Sequence, residues 1–205
     1  MARGKSISDT DLLDRLVDAI GRIGPADLTF AEAARAAGLS PATLVQRFGA
    51  RDAMVEATLL RAWDLLDART QAADDEASPD PAGAIALLLA LMPGAAAEHG
   101  VTDGLLLLRE DFRNPRLRAR GAAWGARLAE ALGRRLSDNA ADSDRLGRQM
   151  ANVWQGAIIW WAFEQRADPE TAIRVALEDW CRTAGLTDRE SPPGPDVRLT
   201  SSAKT

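Results

Sequence analysis

Two reactive side chains are almost missing from this chain of 205 residues: it has one cysteine, Cys181, and one histidine, His99. A single cysteine excludes a disulfide framework. One residue of each kind also excludes a Cys/His zinc cluster, which needs several ligands at defined spacing, so no metal site is expected. Glycine-rich phosphate loops, nucleophile elbows and metal-ligand spacings are absent too, and His99 lies in AAAEHG with no serine or cysteine partner in evidence. Nothing therefore points to an enzyme or to a bound cofactor. Long apolar runs are also lacking. The opening MARGKSISDT holds none, and the longest elsewhere, Ala84 to Pro93, is far below the ~20 residues of a membrane span. A soluble, cytoplasmic protein with no membrane partner is expected.

A basic excess is missing as well, because the formal net charge is -5. The deficit is uneven. Residues 1 to 52 balance seven basic side chains (Arg3, Lys5, Arg15, Arg22, Arg35, Arg47, Arg51) against seven acidic ones (Asp9, Asp11, Asp14, Asp18, Asp27, Glu32, Asp52), so the remainder carries the negative charge. A nucleic-acid contact in this chain must rest on local placement rather than on a broad basic field. Its salt dependence should be shallow, about four to six phosphates' worth for a dimer.

What is present is a capped helical motif over Thr29 to Arg51, TFAEAARAAGLSPATLVQRFGAR. Thr29 suits an N-cap, and Glu32, three residues on, can return a hydrogen bond to the cap's amide. Phe30, Ala33, Ala34 and Ala37 give the helix one apolar face. Gly38 supplies the left-handed residue of a helix C-terminus, Leu39 plugs the core, and Ser40 with Pro41 caps and opens a second helix. Two capped helices joined through one glycine form a helix-turn-helix, whose second helix enters the major groove by its N-terminal end. That end offers Pro41, Ala42, Thr43 and Arg47. Leu44 and Phe48, four apart, should anchor the opposite face. Arg47 has the fork for guanine O6 and N7 and Thr43 can meet a phosphate or a thymine methyl, although a solvated surface arginine is the plainer reading. Gln46 adjoins them, and Arg51 at the next helix start suits a phosphate.

Residues 10 to 62 resemble the DNA-binding domain of the tetracycline-repressor-like (TetR) transcription regulators. The likeness rests on the amphipathic leading helix, Leu28-Thr29, Ala36-Ala37-Gly38-Leu39-Ser40, and Thr43-Leu44-Val45-Gln46-Arg47-Phe48 followed by Arg51. The chain departs from the family where Ala31, Pro41, Val45 and Ala50 replace an arginine, a lysine, a tyrosine and a polar cap. The resemblance implies an all-α fold, with an N-terminal three-helix DNA-binding domain containing the helix-turn-helix (residues 1–52) and a C-terminal helical ligand-binding and dimerisation domain (53–186). A tail without periodicity, 187–205, is expected to be disordered. DNA-binding positions under this reading are Thr29, Pro41, Ala42, Thr43, Gln46, Arg47 and Arg51.

Helical periodicity places a first helix over about Ser8 to Ile23, ended by Gly24-Pro25, and a long one from Arg51 to about Ala73. An acidic, proline-rich loop follows over 74–83. Later helices are expected over Ala84–Met92, Ala95–His99, Gly104–Phe112, Pro115–Leu136, Asp144–Gln165 and Pro169–Ala184. The Asp144–Gln165 segment is apolar nearly all round, so one neighbour cannot cover it. A homodimer answers this, with Met150, Val153, Gly156, Ala157, Trp161, Ile173, Leu177 and Trp180 as interface, Gly156-Ala157 being a point of close approach; closure of an intrachain core by the same residues is the alternative. The resemblance implies the same pairing and a palindromic operator on double-stranded DNA. It also implies a small hydrophobic effector, for which Trp63, Met92, Phe112, Trp124 and Trp154 are the candidate pocket residues. Bulky residues at helical spacing are more often ordinary core, which is the stronger reading of any one of them. Repression comes from the resemblance alone. A helical interaction module, or a regulator without an effector, stays open beside it.

Overall fold

The computed structural model describes residues 7–92 and 109–186. Its first helix, α1 (Asp9–Asp27), starts at Ser8, whose hydroxyl accepts the Asp11 N–H at 3.0 Å. The expected stop at Gly24-Pro25 is a kink instead. Gly24 takes φ 77°, ψ 161° and Pro25 restarts the helix for one more turn, because a proline in a helix's first turn has no N–H to leave unpaired. Next come α2 (Phe30–Ala37) and α3 (Pro41–Phe48), joined through Gly38 in the left-handed region at φ 69°. Thr29 and Ser40 cap them as expected, accepting from Glu32 N at 3.1 Å and Thr43 N at 3.2 Å. Only half of the reciprocal box forms. The Thr29 N–H already donates to Asp27 O at 2.8 Å, and the Glu32 carboxylate turns to Arg35 at 2.6 Å.

The long helix α4 (Arg51–Glu76) joins two cores. Its first half supplies Met54, Val55 and Leu59 to a head core that also holds Leu12, Leu16, Ile20, Leu28, Ala33, Ala34 and Leu44. Its second half lies against the body, formed by α5 (Pro81–Ala90), α6 (Pro115–Leu136), α7 (Ala140–Glu164) and α8 (Pro169–Thr183). There Leu87, Leu88, Leu128, Leu132, Leu136, Met150, Ile173 and Leu177 form the buried centre. Residues 109–113 are also helical, and all described regular structure is helix. Ala95–His99, most of the expected helix over Gly104–Phe112, the arm with Arg3 and Lys5, and the tail 187–205 lie outside the described residues. The segment expected as a loop before Asp144 opens α7 four residues early, because Asn139 caps it by accepting from Ala141 and Asp142 N.

Helices α4 and α6 are stitched by arginine. Glu56 meets Arg116, Asp64 and Asp67 meet Arg120, Asp67 meets Arg127, and Asp74 meets Arg134 and Arg135. Five of these hydrogen-bonded pairs are 56 to 61 residues apart in sequence. A near-constant separation means that the two helices run parallel in a fixed register. Arg135, 6% exposed, is the inner knot. It donates to Asp74 Oδ1 and to the carbonyls of Asp74 (2.6 Å), Ser78 (2.9 Å), Ala77 (3.1 Å) and Ala131 (2.8 Å). Helices α6 and α7 approach closely through glycine. A Cβ at Gly147 would stand 1.9 Å from Ala129 O, and one at Gly133 would stand 2.2 Å from Ser143 O.

Two sets of expected positions need correction. Met150, Ile173 and Leu177 are fully buried within the protomer and are not surface available for dimerisation. On α7 the line Leu146, Met150, Trp154 faces inward, and on α8 the line Ile173, Leu177, Cys181 does. The outward apolar residues are Ile159, Trp160, Phe163 and Val175, with Trp160 67% and Phe163 78% exposed. Val153, Gly156, Ala157, Trp161 and Trp180 lie between, half-buried, and an added Cβ at Gly156 would touch none of the described residues. Phe112 is 64% exposed and so faces away from the interior it was expected to line.

Candidate nucleic-acid interface

The exposed end of α3 follows from how its other side is held. Leu44 is fully buried and Phe48 lies partly buried against the head core. This leaves Pro41, Ala42, Val45, Gln46 and Arg47 exposed and Thr43 half-buried. Proline at the first helical position and a serine cap fix the direction of this leading turn. Thr43 is not a bare hydroxyl, for its Oγ1 lies 2.9 Å from Ser40 Oγ, coupling it to the cap. Thr29 is exposed at the start of α2, where its oxygen accepts the Glu32 N–H. What the surface offers a duplex is therefore a short, shape-defined wedge with few charges.

The two arginines of this face are both engaged within the head. Arg47 donates through Nη1 to Asp9 Oδ1 at 3.1 Å and through Nη2 to Ile7 O at 3.2 Å, joining the last turn of α3 to the start of α1. Arg51 donates through Nε to Leu28 O at 3.1 Å and through Nη2 to Ala26 O at 2.7 Å and to Pro25 O. Those are the carbonyls at the end of α1, where a positive charge is favoured by the helix dipole. Its place at the junction of α1 and α4 is structural, and a phosphate would have to compete with these carbonyls for its side chain. Two more arginines brace the head. Arg15 donates to Ala37 O at 2.8 Å, and Arg61 binds Asp14 at 2.7 Å, holding that carboxyl below its ordinary range. Sequence reasoning missed all four contacts, since each joins residues more than twenty positions apart.

Behind the head, a cleft of about 810 Å³ opens between head and body, lined by Pro25, Arg51, Glu56, Arg113, Arg116 and Leu117 among others. Deeper in the body the expected pocket aromatics partly converge. The Trp63 and Trp124 rings lie 5.7 Å apart at 53°, and the edge of Trp63 would be 3.1 Å from a Cβ at Gly121. Trp63 Nε1 donates to Asp111 Oδ1 at 3.0 Å, and Trp124 Nε1 donates to Thr70 Oγ1 at 2.9 Å. Burial pushes the Asp111 carboxyl up, outweighing the Trp63 hydrogen bond. Trp154 and Met92 are buried in the same core, and the Trp154 indole N–H is buried without a hydrogen-bond partner among the described residues. Asn152 and Gln155 line a separate cleft of about 340 Å³ beside Trp124 and Arg148.

No protein-family model and no curated protein matches the sequence. Solved structures do. A transcriptional regulator from Rhodococcus sp. Rha1 is similar at a TM-score of 0.67 and 16% identity, over 86% of this chain and 97% of that one. A presumed transcriptional regulator from Saccharomonospora viridis, in complex with choline, gives 0.65 and 20% identity over 83% and 93%. The TetR family transcriptional regulator PfmR from Thermus thermophilus gives 0.58 and 20% over 83% and 97%. The likeness spans head and body together, and the chain has the fold of the TetR-family transcriptional regulators.

Proposed function

We propose that this chain is a homodimeric DNA-binding regulator. Its head, residues 1–52, reads a palindromic operator, and its body, 53–186, pairs the chains and takes a small hydrophobic effector that releases the DNA. The observation carrying this reading is the exposed leading turn of α3, which is anchored by the buried Leu44 and lies within a fold shared with TetR-family regulators. One recognition helix covers only a few base pairs, so a specific site calls for two. The outward Ile159, Trp160, Phe163 and Val175 on α7 and α8, next to the half-buried Val153, Gly156, Ala157, Trp161 and Trp180, form the face suited to a second copy. Large exposed aromatics in one area are unusual on a monomer.

For the effector, the support is the aromatic group Trp63, Trp124 and Trp154, together with the buried Trp154 N–H, which has no acceptor among the described residues. Such a donor costs about 1–3 kcal/mol, which a ligand bearing an acceptor would recover. That a protein of this fold holds choline is consistent with a small organic ligand. Repression works if the ligand favours a dimer whose heads no longer match successive major grooves, which requires different affinity for the two states. The test is an electrophoretic shift with the DNA upstream of the chain's own gene, repeated with Thr43→Ala/Arg47→Ala. Binding by the native chain and its loss in the double variant are expected. Undiminished binding by the variant refutes the assigned roles.

A further inference from the structure

The contact between Arg47 and Asp9 is unusual for a candidate DNA-facing arginine, because its partner is an acid on a different helix, 38 residues away. Asp9 is at the first position of α1, its side chain 89% exposed, while that of Arg47 is 28% exposed. Among the described residues the aspartate is thus a solvated charge whose ion-pair partner is Arg47, and the arginine is the more enclosed member. A second bond, from Nη2 to Ile7 O, keeps the guanidinium turned toward the start of α1. Exposed ion pairs are weak because water and salt compete with them, and a duplex presents a much denser array of negative charge than one carboxylate. The pair is therefore built to open when DNA arrives.

We propose that Asp9 is an affinity-setting residue of the head, an internal competitor that holds Arg47 until duplex phosphate displaces it. This rests on the DNA-binding reading above. Asp9 would act through Arg47 and not by touching DNA, which makes it a positioning residue. The alternatives are that Asp9 only supports the α1 N-terminus, where acids are favoured, or that it simply repels phosphate.

The experiment is a double-mutant cycle read by fluorescence anisotropy on a labelled mixed-sequence duplex of about 30 base pairs, long enough for two half-sites one turn apart. It uses the full chain, Asp9→Asn, Arg47→Ala and both together, at low salt, with circular dichroism to confirm folding. Asp9→Asn should lower Kd by about two- to five-fold per head, the range spanned by an exposed ion pair, and the same change on the Arg47→Ala background should leave Kd unaltered. Equal tightening in both backgrounds would show direct repulsion of phosphate and overturn the proposal. Unchanged or weaker binding by Asp9→Asn alone would overturn it as well, since a purely structural role gives that result. If the native chain binds no duplex at all, the DNA-binding reading itself falls and takes this inference with it.

Discussion

Single residues carry unequal shares of the fold, and burial decides which matter. Arg135 binds one carboxylate and four carbonyls while almost wholly enclosed. Arg135→Met leaves Asp74 to Arg134 but takes a donor from four carbonyls, and should destabilise the chain by about 1–3 kcal/mol, the cost of leaving buried acceptors unpaired, measured as a lowered urea midpoint. A loss below about 1 kcal/mol would place it among ordinary surface pairs. Asp111 gives a pH signature with a definite sign. Its folded pKa is raised, chiefly by burial, so its stabilising contribution is complete below the unfolded value of about 3.9 and is lost as pH rises through the folded one. Asp111→Asn keeps an acceptor for Trp63 without the charge. It should therefore raise the melting temperature at pH 7, with a difference that shrinks to nothing as pH falls toward about 4. Two glycines separate fold from assembly. Gly147→Ala forces a methyl onto Ala129 O and should cost about 1–3 kcal/mol or more by overpacking. Gly156→Ala meets none of the described residues of the protomer, and any loss it causes should appear only in self-association.

At the scale of elements, local chemistry was readable and distant chemistry was not. Thr29, Gly38, Ser40 and Pro41 mark helix ends through bonds spanning a few residues, and the structure keeps each of them. The inward face of α6, with Leu117, Trp124, Leu128 and Leu132, was equally legible from helical spacing, whereas on α1 the spacing of Leu13, Leu16, Val17 and Ile20 found only half of a face that is Leu12, Leu16, Ala19 and Ile20. The Arg51 contact with the end of α1, the glycine contact of α6 with α7, and the split of the α7 apolar surface into inner and outer faces depend on which helices become neighbours. A periodic pattern does not state that. The α4–α6 arginine seam is the clearest case, since its acids lie on α4 and its arginines on α6, and each helix looks merely solvated when read singly. Asp67 shows what acid does to this seam. Burial pushes its pKa up, but Arg127 and Arg120 together outweigh that and leave it lowered. Its contribution is thus present above the unfolded value and is lost as pH falls through the folded one, below about pH 4. Helix α4 also begins at Ala50 with no side-chain cap. Ala50→Ser should raise stability by about 0.5–2 kcal/mol, seen as a higher urea midpoint. No gain would mean that the free amides already have partners.

For the whole molecule, the proposed function needs a mechanical connection between head and body. Helix α4 provides it by belonging to both cores, with Trp63 packed against each. A ligand in the body that moved α6 would pull on α4 through the arginine seam and swing the head, and the head–body cleft leaves room for that motion. Two heads moving together would change their separation on DNA, where half-site spacing is fixed by the helical repeat. The outer aromatic face is where the pairing should be tested. Trp160→Glu/Phe163→Glu, both outside the protomer core, should leave the melting profile close to native but convert a dimer to a monomer in sedimentation equilibrium. A native chain that is already monomeric would remove the reason for symmetric reading.

The most direct measurement is selection of bound sequences from a randomised duplex library by the full chain, followed by the stoichiometry of the complex on the enriched sequence. The expected result is an inverted repeat with half-site centres about 10 base pairs apart or a multiple of that, occupied by an even number of chains. Enrichment of no sequence, or of one asymmetric site held by a single chain, would contradict the reading of this protein as a two-headed reader of DNA.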